Sequence, residues 1–313
     1  MKHETICIIF MLCLLFFIYN INHNNPNKSR LVKLDDLRSV YKRSIPIQNV
    51  TTRHYMKNDE YEVYNERDIY GPNQSFYGRL CYKRNTDSIF KKTAFPHVLD
   101  IDTFEGGVED PRLFSFDNEN YVIFNGKLKY KKNSRQMFLF NLNKNKLVHL
   151  VIEGYDVTKS VQKNWTPYVF DSHMYFLYSI EPVCVLKLTN VNTGVCKLIH
   201  GQPVFHTHPH ILRGGSCLVP WNYPYFFGCG HVSDPYRAIF YTYNVISHNV
   251  TKFDILQLYN DNARINFPYD LQIKLPYAIL GCNYEDERDH LFYFDIEVIE
   301  SYIQMRYNPY GLL

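Results

Sequence analysis

RLFSFDNENYVIFNG (residues 112–126) and RQMFLFNLNKNKLVHLVI (residues 135–152) decide the fold. Short runs of Phe, Leu, Val, Ile and Tyr are broken by Asp-Asn-Glu-Asn and Asn-Lys-Asn-Lys. Those residue types tolerate the backbone of tight hairpin turns. The two segments therefore read as four short antiparallel strands joined as a meander.

The pattern recurs. NWTPYVF–DSH–MYFLYSI leads to PVCVLKLTNVNTGVCKLI, and RGGSCLVPWNYPYFFGCGHV to YRAIFYTYNVISHNVTKFDIL. PYDLQIKLPYAILGCNY then leads to HLFYFDIEVI. Taking Asp110, Asn164, Arg213 and Phe267 as equivalent starts, the units lie about 50 residues apart, the period of a four-stranded propeller blade. A further blade over residues 71–105 makes five, so the expected fold is an all-β, five-bladed β-propeller. An irregular β-sandwich fits the composition but not the period.

Composition agrees. The chain has 313 residues, long enough to bury a substantial core, and its 27 Tyr and 22 Phe favour half-buried pleated surfaces. A net charge of +3 with 21% charged residues argues against a nucleic-acid partner, a polybasic membrane surface and a disordered chain.

TICIIFMLCLLFFIYNI (residues 5–21) carries no charge and precedes no small-x-small cleavage site. It reads as a signal anchor, with a cleaved signal peptide as the alternative. Residues 22–70 read as a polar stem, 71–305 as the propeller and 306–313 as a tail. Lys28, Arg30 and Lys33 outnumber Lys2 across the span, which alone would leave the large domain in the cytosol. The short leading tail and the sequons at Asn27, Asn49, Asn73 and Asn249 favour instead a single-pass protein with its catalytic domain in the Golgi or ER lumen.

Cys7 and Cys13 fall in the apolar run, leaving Cys81, Cys184, Cys196, Cys217, Cys229 and Cys282. No Cys-x-x-Cys occurs, so structural zinc is not expected. Cys184/Cys196 and Cys217/Cys229 bracket hairpins, and the two readings are cross-strand disulfides or buried thiols.

GGVEDPR, QKNWTP, RGGS and NFPYD each sit at or just before the first strand of a unit. In a propeller those strand starts surround the central channel, so the motifs converge on one mouth. As a set, GGVEDPRLF, QKNWTPYVF, YSIEPVCVLKL and RGGSCLV…FFGCGHV resemble the inverting β-mannoside phosphorylases of glycoside hydrolase family 130. They also resemble the related eukaryotic β-mannosyltransferase/phosphorylases, over roughly residues 75–300. The resemblance implies a five-bladed propeller in which one carboxylate, here Asp110, is general acid towards the glycosidic oxygen, acting through a sugar hydroxyl. Phosphate attacks the opposite face of the anomeric carbon, with inversion. In synthesis Asp110 becomes the general base for an acceptor hydroxyl.

Glu109, on the other side of an extended strand, is expected to bind sugar hydroxyls or hold Arg112. Lys163, Asn164, Arg213 and His231 are the expected clamp for phosphate or nucleotide, with Arg112 sharing the work. Trp165 and Glu181 complete the expected substrate-binding set, although Glu181 also reads as a rim ion pair. Asn164-Trp165-Thr166 is a sequon, read here as site rather than glycan acceptor. The expected partners are a carbohydrate acceptor and a sugar nucleotide or sugar 1-phosphate; no cofactor and no metal are expected.

Three alternatives remain. Asp100-Ile101-Asp102 is the Asp-x-Asp with which nucleotide-sugar transferases hold a divalent metal, though no doubly wound pattern accompanies it. A glycoside hydrolase of the same fold would need a second carboxylate, Glu181 or Glu285. A non-catalytic propeller would only bind glycans. His206, His208 and His210 share one face of an extended HTHPH, but Pro209 interrupts it, and an inter-blade loop is the preferred reading.

Overall fold

The computed structural model describes residues 41–44, 52–70, 75–93, 104–128, 135–203, 211–233, 236–256, 258, 265–285 and 288–307. The apolar run 5–21, Asn27, Asn49, Asn73, the Asp100/Asp102 pair and the three histidines of HTHPH lie outside them. Among the described residues no helix is long and apolar enough to cross a membrane.

Leu37–Glu300 form one compact unit, built of five sheets. Strand β1 (Tyr41–Ser44) is set aside by the chain until the end. The first blade is β2 (Thr52–Lys57), β3 (Tyr61–Tyr70), β4 (Ser75–Arg84) and β5 (Lys91–Thr93). The second is β6 (Phe104–Phe116), β7 (Glu119–Leu128), β8 (Arg135–Asn141) and β9 (Lys146–His149). β10 (Val151–Ile152) then runs parallel to β14 (Val195–His200), outermost in a third blade whose inner strands are β11 (Thr166–Phe170), β12 (His173–Ser179) and β13 (Cys184–Asn190).

In the fourth blade β15 (Arg213–Gly214) and β16 (Val219–Pro220) both pair with β17 (Tyr225–Val232), followed by β18 (Arg237–Asn244) and β19 (Val250–Ile255). The fifth is β20 (Asn266–Lys274), β21 (Tyr277–Tyr284) and β22 (Arg288–Asp295). Its outer strand is β1, antiparallel to β22, so the start of the ring completes its last blade. The all-β five-bladed propeller read from the repeat is the architecture found.

Local chemistry explains the meander. Asp117 and Asn118, at φ of 50° and 58°, form the two-residue turn between Phe116 and Glu119. Asp171 and Ser172 do the same at 47° and 54° between Phe170 and His173. Two successive left-handed residues match the right-handed twist of the flanking strands. The middle strands are covered on both faces by neighbouring blades, so RQMFLFN is buried at every position after Arg135. The outer VCKLIH is largely open. Phe124, Phe138 and Phe140 of the second blade pack with Val63 and Leu80 of the first and Tyr269 of the fifth. Met137, Leu139 and Trp165 join Phe176 and Leu186 between the second and third. Each such fully buried Phe contributes about 2 kcal/mol.

Both ends of the propeller differ from the sequence reading. The propeller begins at residue 41, since much of the expected stem supplies β1, β2 and β3. Those strands read as stem because they are polar and irregular, with no sustained periodicity. The final strand stops at Asp295, and helix α1 (Ile296–Tyr307) follows.

Of the two readings of the cysteines, buried thiols are what the structure holds: all six cysteines of the described residues are free and buried. The register sets Cys196 opposite Leu188 while Cys184 faces Ser179, so the first pair is out of step. Cys217 Sγ turns to the Leu113 carbonyl and Cys229 Sγ to that of Gly230. Burial pushes the Cys184 and Cys196 thiols up to about 12, leaving both inert as nucleophiles.

Candidate active site

The starts of the inner strands carry one recurring device. His54 in β2, Asp110 in β6 and Asn164 just before β11 have φ of 56°, 50° and 62°. Each is a non-glycine in the left-handed region, a position that His, Asp and Asn adopt more readily than other residues. The β2–β3 ladder breaks between Arg53 and Met56, and the β6–β7 ladder between Glu109 and Arg112. Interrupting a ladder in this way re-aims the side chain it carries.

The fourth blade uses glycine for close approach instead. A Cβ on Gly214 would lie 2.1 Å from the Asn164 carbonyl oxygen, and one on Gly215 would lie 2.7 Å from Pro268 Cγ. The Gly-Gly pair thus lets the inner edges of the third, fourth and fifth blades meet.

Asp110 is held by a relay that the sequence did not reveal. Its Oδ2 accepts from Asn125 Nδ2 at 3.1 Å. Asn125 Oδ1 accepts from Arg135 Nη1 at 2.9 Å, and Arg135 Nη2 pairs with Glu109. A guanidinium has no acceptor, so Arg135 fixes the orientation of the buried amide. On the other carboxylate oxygen, Oδ1, His54 Nδ1 stands 4.0 Å away. Asp110 keeps 17% of its side chain accessible.

Asp110 shares the field of one buried histidine, His231, with three cations. His231 is opposite Arg213 in the β15–β17 register. Burial pushes its imidazole down to about 3, helped by Arg213, Arg112 and Lys163 and opposed by Asp110. The same shift shows that these charges share one field. His231 is therefore neutral at physiological pH, and the positive charge around it comes from Arg213, Arg112 and Lys163. Lys163 has no ion-pair partner among the described residues.

Arg112 is 1% exposed; its Nε donates to the Gly215 carbonyl and its Nη1 to the Asp110 carbonyl at 3.1 Å. Burial lowers its pKa while the charge of Asp110 works to raise it. Arg112 Nη2, Asn164 Oδ1, His231 Nδ1 and Asn266 Oδ1 are buried without a hydrogen-bond partner. Unpaired buried donors and acceptors are costly, and water, hydroxyl groups or an anion complete such groups.

The expected residues divide. Asp110, Arg112, Lys163, Arg213 and His231 come together, with Asn164 at the adjoining strand start. Its 8% exposure leaves no room for a glycan. Trp165 does not join them: it is 1% exposed, with ring centroids 5.8 Å from Phe176 and 5.5 Å from Tyr178. Strand alternation turns it into the inter-blade core, so it offers no face to a sugar.

Glu109 pairs with Arg135 and not with Arg112. Glu181 is a rim ion pair, 2.6 Å from Lys252, and accepts from the Leu212 amide at 2.7 Å. Glu285 accepts from the Ile265 amide at 3.2 Å. The sequence reading missed His54, Asn125 and Arg135. A polar residue inside the apolar run YVIFNG was the one local sign of Asn125. Among the described residues no cluster of three or more His, Cys, Asp or Glu could hold a metal.

No family model matches the chain. A search of curated proteins found Beta-mannosyltransferase 1 of Komagataella phaffii, 30% identical over 139 residues, which are 40% of this chain and 21% of that protein. The match thus spans about a fifth of that relative. A mannose phosphorylase from Leishmania mexicana, solved in complex with phosphate ion, has 11% identity and a TM-score of 0.57 over 85% of this chain and 92% of that one.

A further solved structure comes from glycoside hydrolase family 130, mannoside phosphorylases that include hydrolases targeting β-1,2 mannosidic linkages in Candida mannan. It has 12% identity and a TM-score of 0.53 over 79% of this chain and 84% of that one. The resemblance first read from the motifs is thus found again among these relatives, and the likeness to the solved structures is one of fold.

Proposed function

We propose that the protein makes or breaks β-mannosidic linkages with inversion, Asp110 moving the proton and a basic arc receiving the anion. One observation carries the reading. Asp110, its Oδ2 held by the Asn125 amide, shares the field of His231 with Arg213, Arg112 and Lys163, while Glu109 and Glu181 are taken up by ion pairs with Arg135 and Lys252. One carboxylate facing an anion clamp suits phosphorolysis and its reversal, where phosphate replaces the water that a second carboxylate would activate. The names of the curated and structural relatives point to the same linkage.

In phosphorolysis a phosphate oxygen bonds to the anomeric carbon as the glycosidic C–O bond breaks, and the proton from Asp110 goes to the leaving oxygen. In synthesis Asp110 takes the proton of the acceptor hydroxyl, and the donor, a mannose 1-phosphate or a sugar nucleotide, leaves its anion on Lys163 and Arg213. Lumenal glycan extension favours synthesis.

The test is to supply the full chain with β-mannosides and phosphate, then with mannose 1-phosphate or sugar nucleotides and a mannoside acceptor, following product linkage and released phosphate. Asp110→Asn should lower turnover about 10²–10⁴-fold while sugar binding survives. An unchanged rate would sink the assignment. Phosphate-independent cleavage would make the enzyme a hydrolase, and activity abolished by EDTA would revive the metal-dependent alternative at Asp100 and Asp102. The same proposal has the enzyme anchored through residues 5–21 with its propeller in the Golgi or ER lumen, supported by that uncharged run. Cleavage of the propeller by protease outside sealed microsomes would refute this location.

A further inference from the structure

The geometry points to His54 as the residue that sets the protonation of Asp110, so that imidazole and carboxylate titrate as one pair. This rests on the reading of Asp110 as the proton-transfer residue.

The two carboxylate oxygens have different surroundings. Oδ2 takes the Asn125 amide, whose orientation is fixed by Arg135, while Oδ1 faces His54 Nδ1 at 4.0 Å. That distance is too long for a hydrogen bond and short enough for strong charge coupling. One oxygen is therefore anchored and the other directed towards a titratable ring.

His54 is built to stay there. Its side chain is 1% exposed, with its ring centroid 5.4 Å from that of Phe267, stacked, and 5.0 Å from that of Tyr269. The next residue is pinned as well, since the Tyr55 amide donates to Asp289 Oδ2 at 2.8 Å and Asn283 Nδ2 donates to Asp289 Oδ1 at 2.7 Å. The left-handed backbone at His54 costs about 1–3 kcal/mol, and such strain persists where the surroundings over-determine it. A strained, buried, polar ring aimed at a carboxylate is poorly explained as packing alone.

Among the described residues, the other charged or titratable groups around the pair include Glu109 and Arg112 on β6, Arg135 on β8 and Lys163 before β11. They also include Arg213 on β15, His231 on β17, Tyr269 on β20 and Asp289 on β22. Glu109 and Arg135 neutralise one another, and His231 is neutral. A proton on His54 stabilises ionised Asp110, and loss of that proton favours the carboxylic acid, so the titrations are coupled.

Two measurements test this. First, the His54 ring is titrated by NMR in the wild type and in Asp110→Asn, with His54→Gln used to assign its signal. Its pKa should fall by about 1 unit when the carboxylate is removed. An unchanged His54 titration overturns the inference whether or not the protein is a mannoside enzyme.

Second, in the activity assay His54→Phe keeps the ring packing. It should move the Asp110 limb of the pH–rate profile up by about 1 unit, and lower kcat about tenfold with KM within about twofold. His54→Gln, which restores a donor, should recover part of the rate. A rate loss with an unmoved profile in both variants would make His54 merely structural. Absence of any mannoside turnover in the wild type would instead refute the proposed function, leaving the NMR titration to decide the coupling.

Discussion

Asn125 donates its side-chain amide to Asp110 at 3.1 Å, and Arg135, 2.9 Å from the other end of that amide, dictates which end does so. A neutral group thus stands between the carboxylate and the arginine, whose own charge is met by Glu109. Asp110 is steadied without a direct salt bridge to Arg135, which would make it a poorer proton acceptor.

Replacing Asn125 with Leu, close in shape but apolar, should strand Arg135 Nη1 and Asp110 Oδ2. The expected loss of stability is about 1–3 kcal/mol. Urea unfolding measures it, and initial rates should fall at least tenfold as Asp110 loses its orientation. Full activity in a destabilised variant would reduce the amide to scaffolding.

Lys163→Gln should raise KM for phosphate, or for the sugar phosphate in synthesis, about 10–100-fold, the size of a lost charge-assisted hydrogen bond. Initial-rate kinetics at varied phosphate read this directly. Unaltered phosphate dependence would move the clamp away from Lys163.

Away from the site, the far ends of the inner strands enclose a cavity of about 400 Å³ lined by Phe114, Val169, Ile273 and buried Asp270. Burial pushes the Asp270 carboxyl up to about 6 from 3.8, against hydrogen bonds from Gln272 and the Leu271 backbone. A carboxyl pKa raised in the folded state contributes stability that is complete below the unfolded value and lost as pH rises through the folded one. Relative to Asp270→Asn, the wild type should therefore lose about 2 kcal/mol between pH 4 and pH 7. Denaturant melts of both proteins across that range test the sign, and parallel curves would contradict it.

Much of the ring could be read from the chain because its information is local. Asp-Asn and Asp-Ser turns, apolar runs and a steady period specify hairpins without reference to distant residues. Asp110, Lys163 and Arg213 belong to motifs that the period places at strand starts, which is how the sequence groups them.

What escaped was non-local. His54 looked like stem because the first blade is charged and irregular, and only ring closure brings it to Asp110. Trp165 was expected among the substrate-binding residues beside Asn164, but one step along a strand reverses the face. Hairpin spacing suggested disulfides, whereas the register set Cys184 against Ser179 and Cys196 against Leu188.

Tyr41–Ser44 pairs with β22 and closes the fifth blade. A fragment begun at residue 71, where the composition first looks like propeller, would carry Asp110, Lys163, Arg213 and His231 yet leave the ring unfastened. It would also lack His54 and the exposed edge of β22 would invite pairing with other chains. Such a fragment should be recovered as aggregate, so an expression boundary belongs upstream of Tyr41.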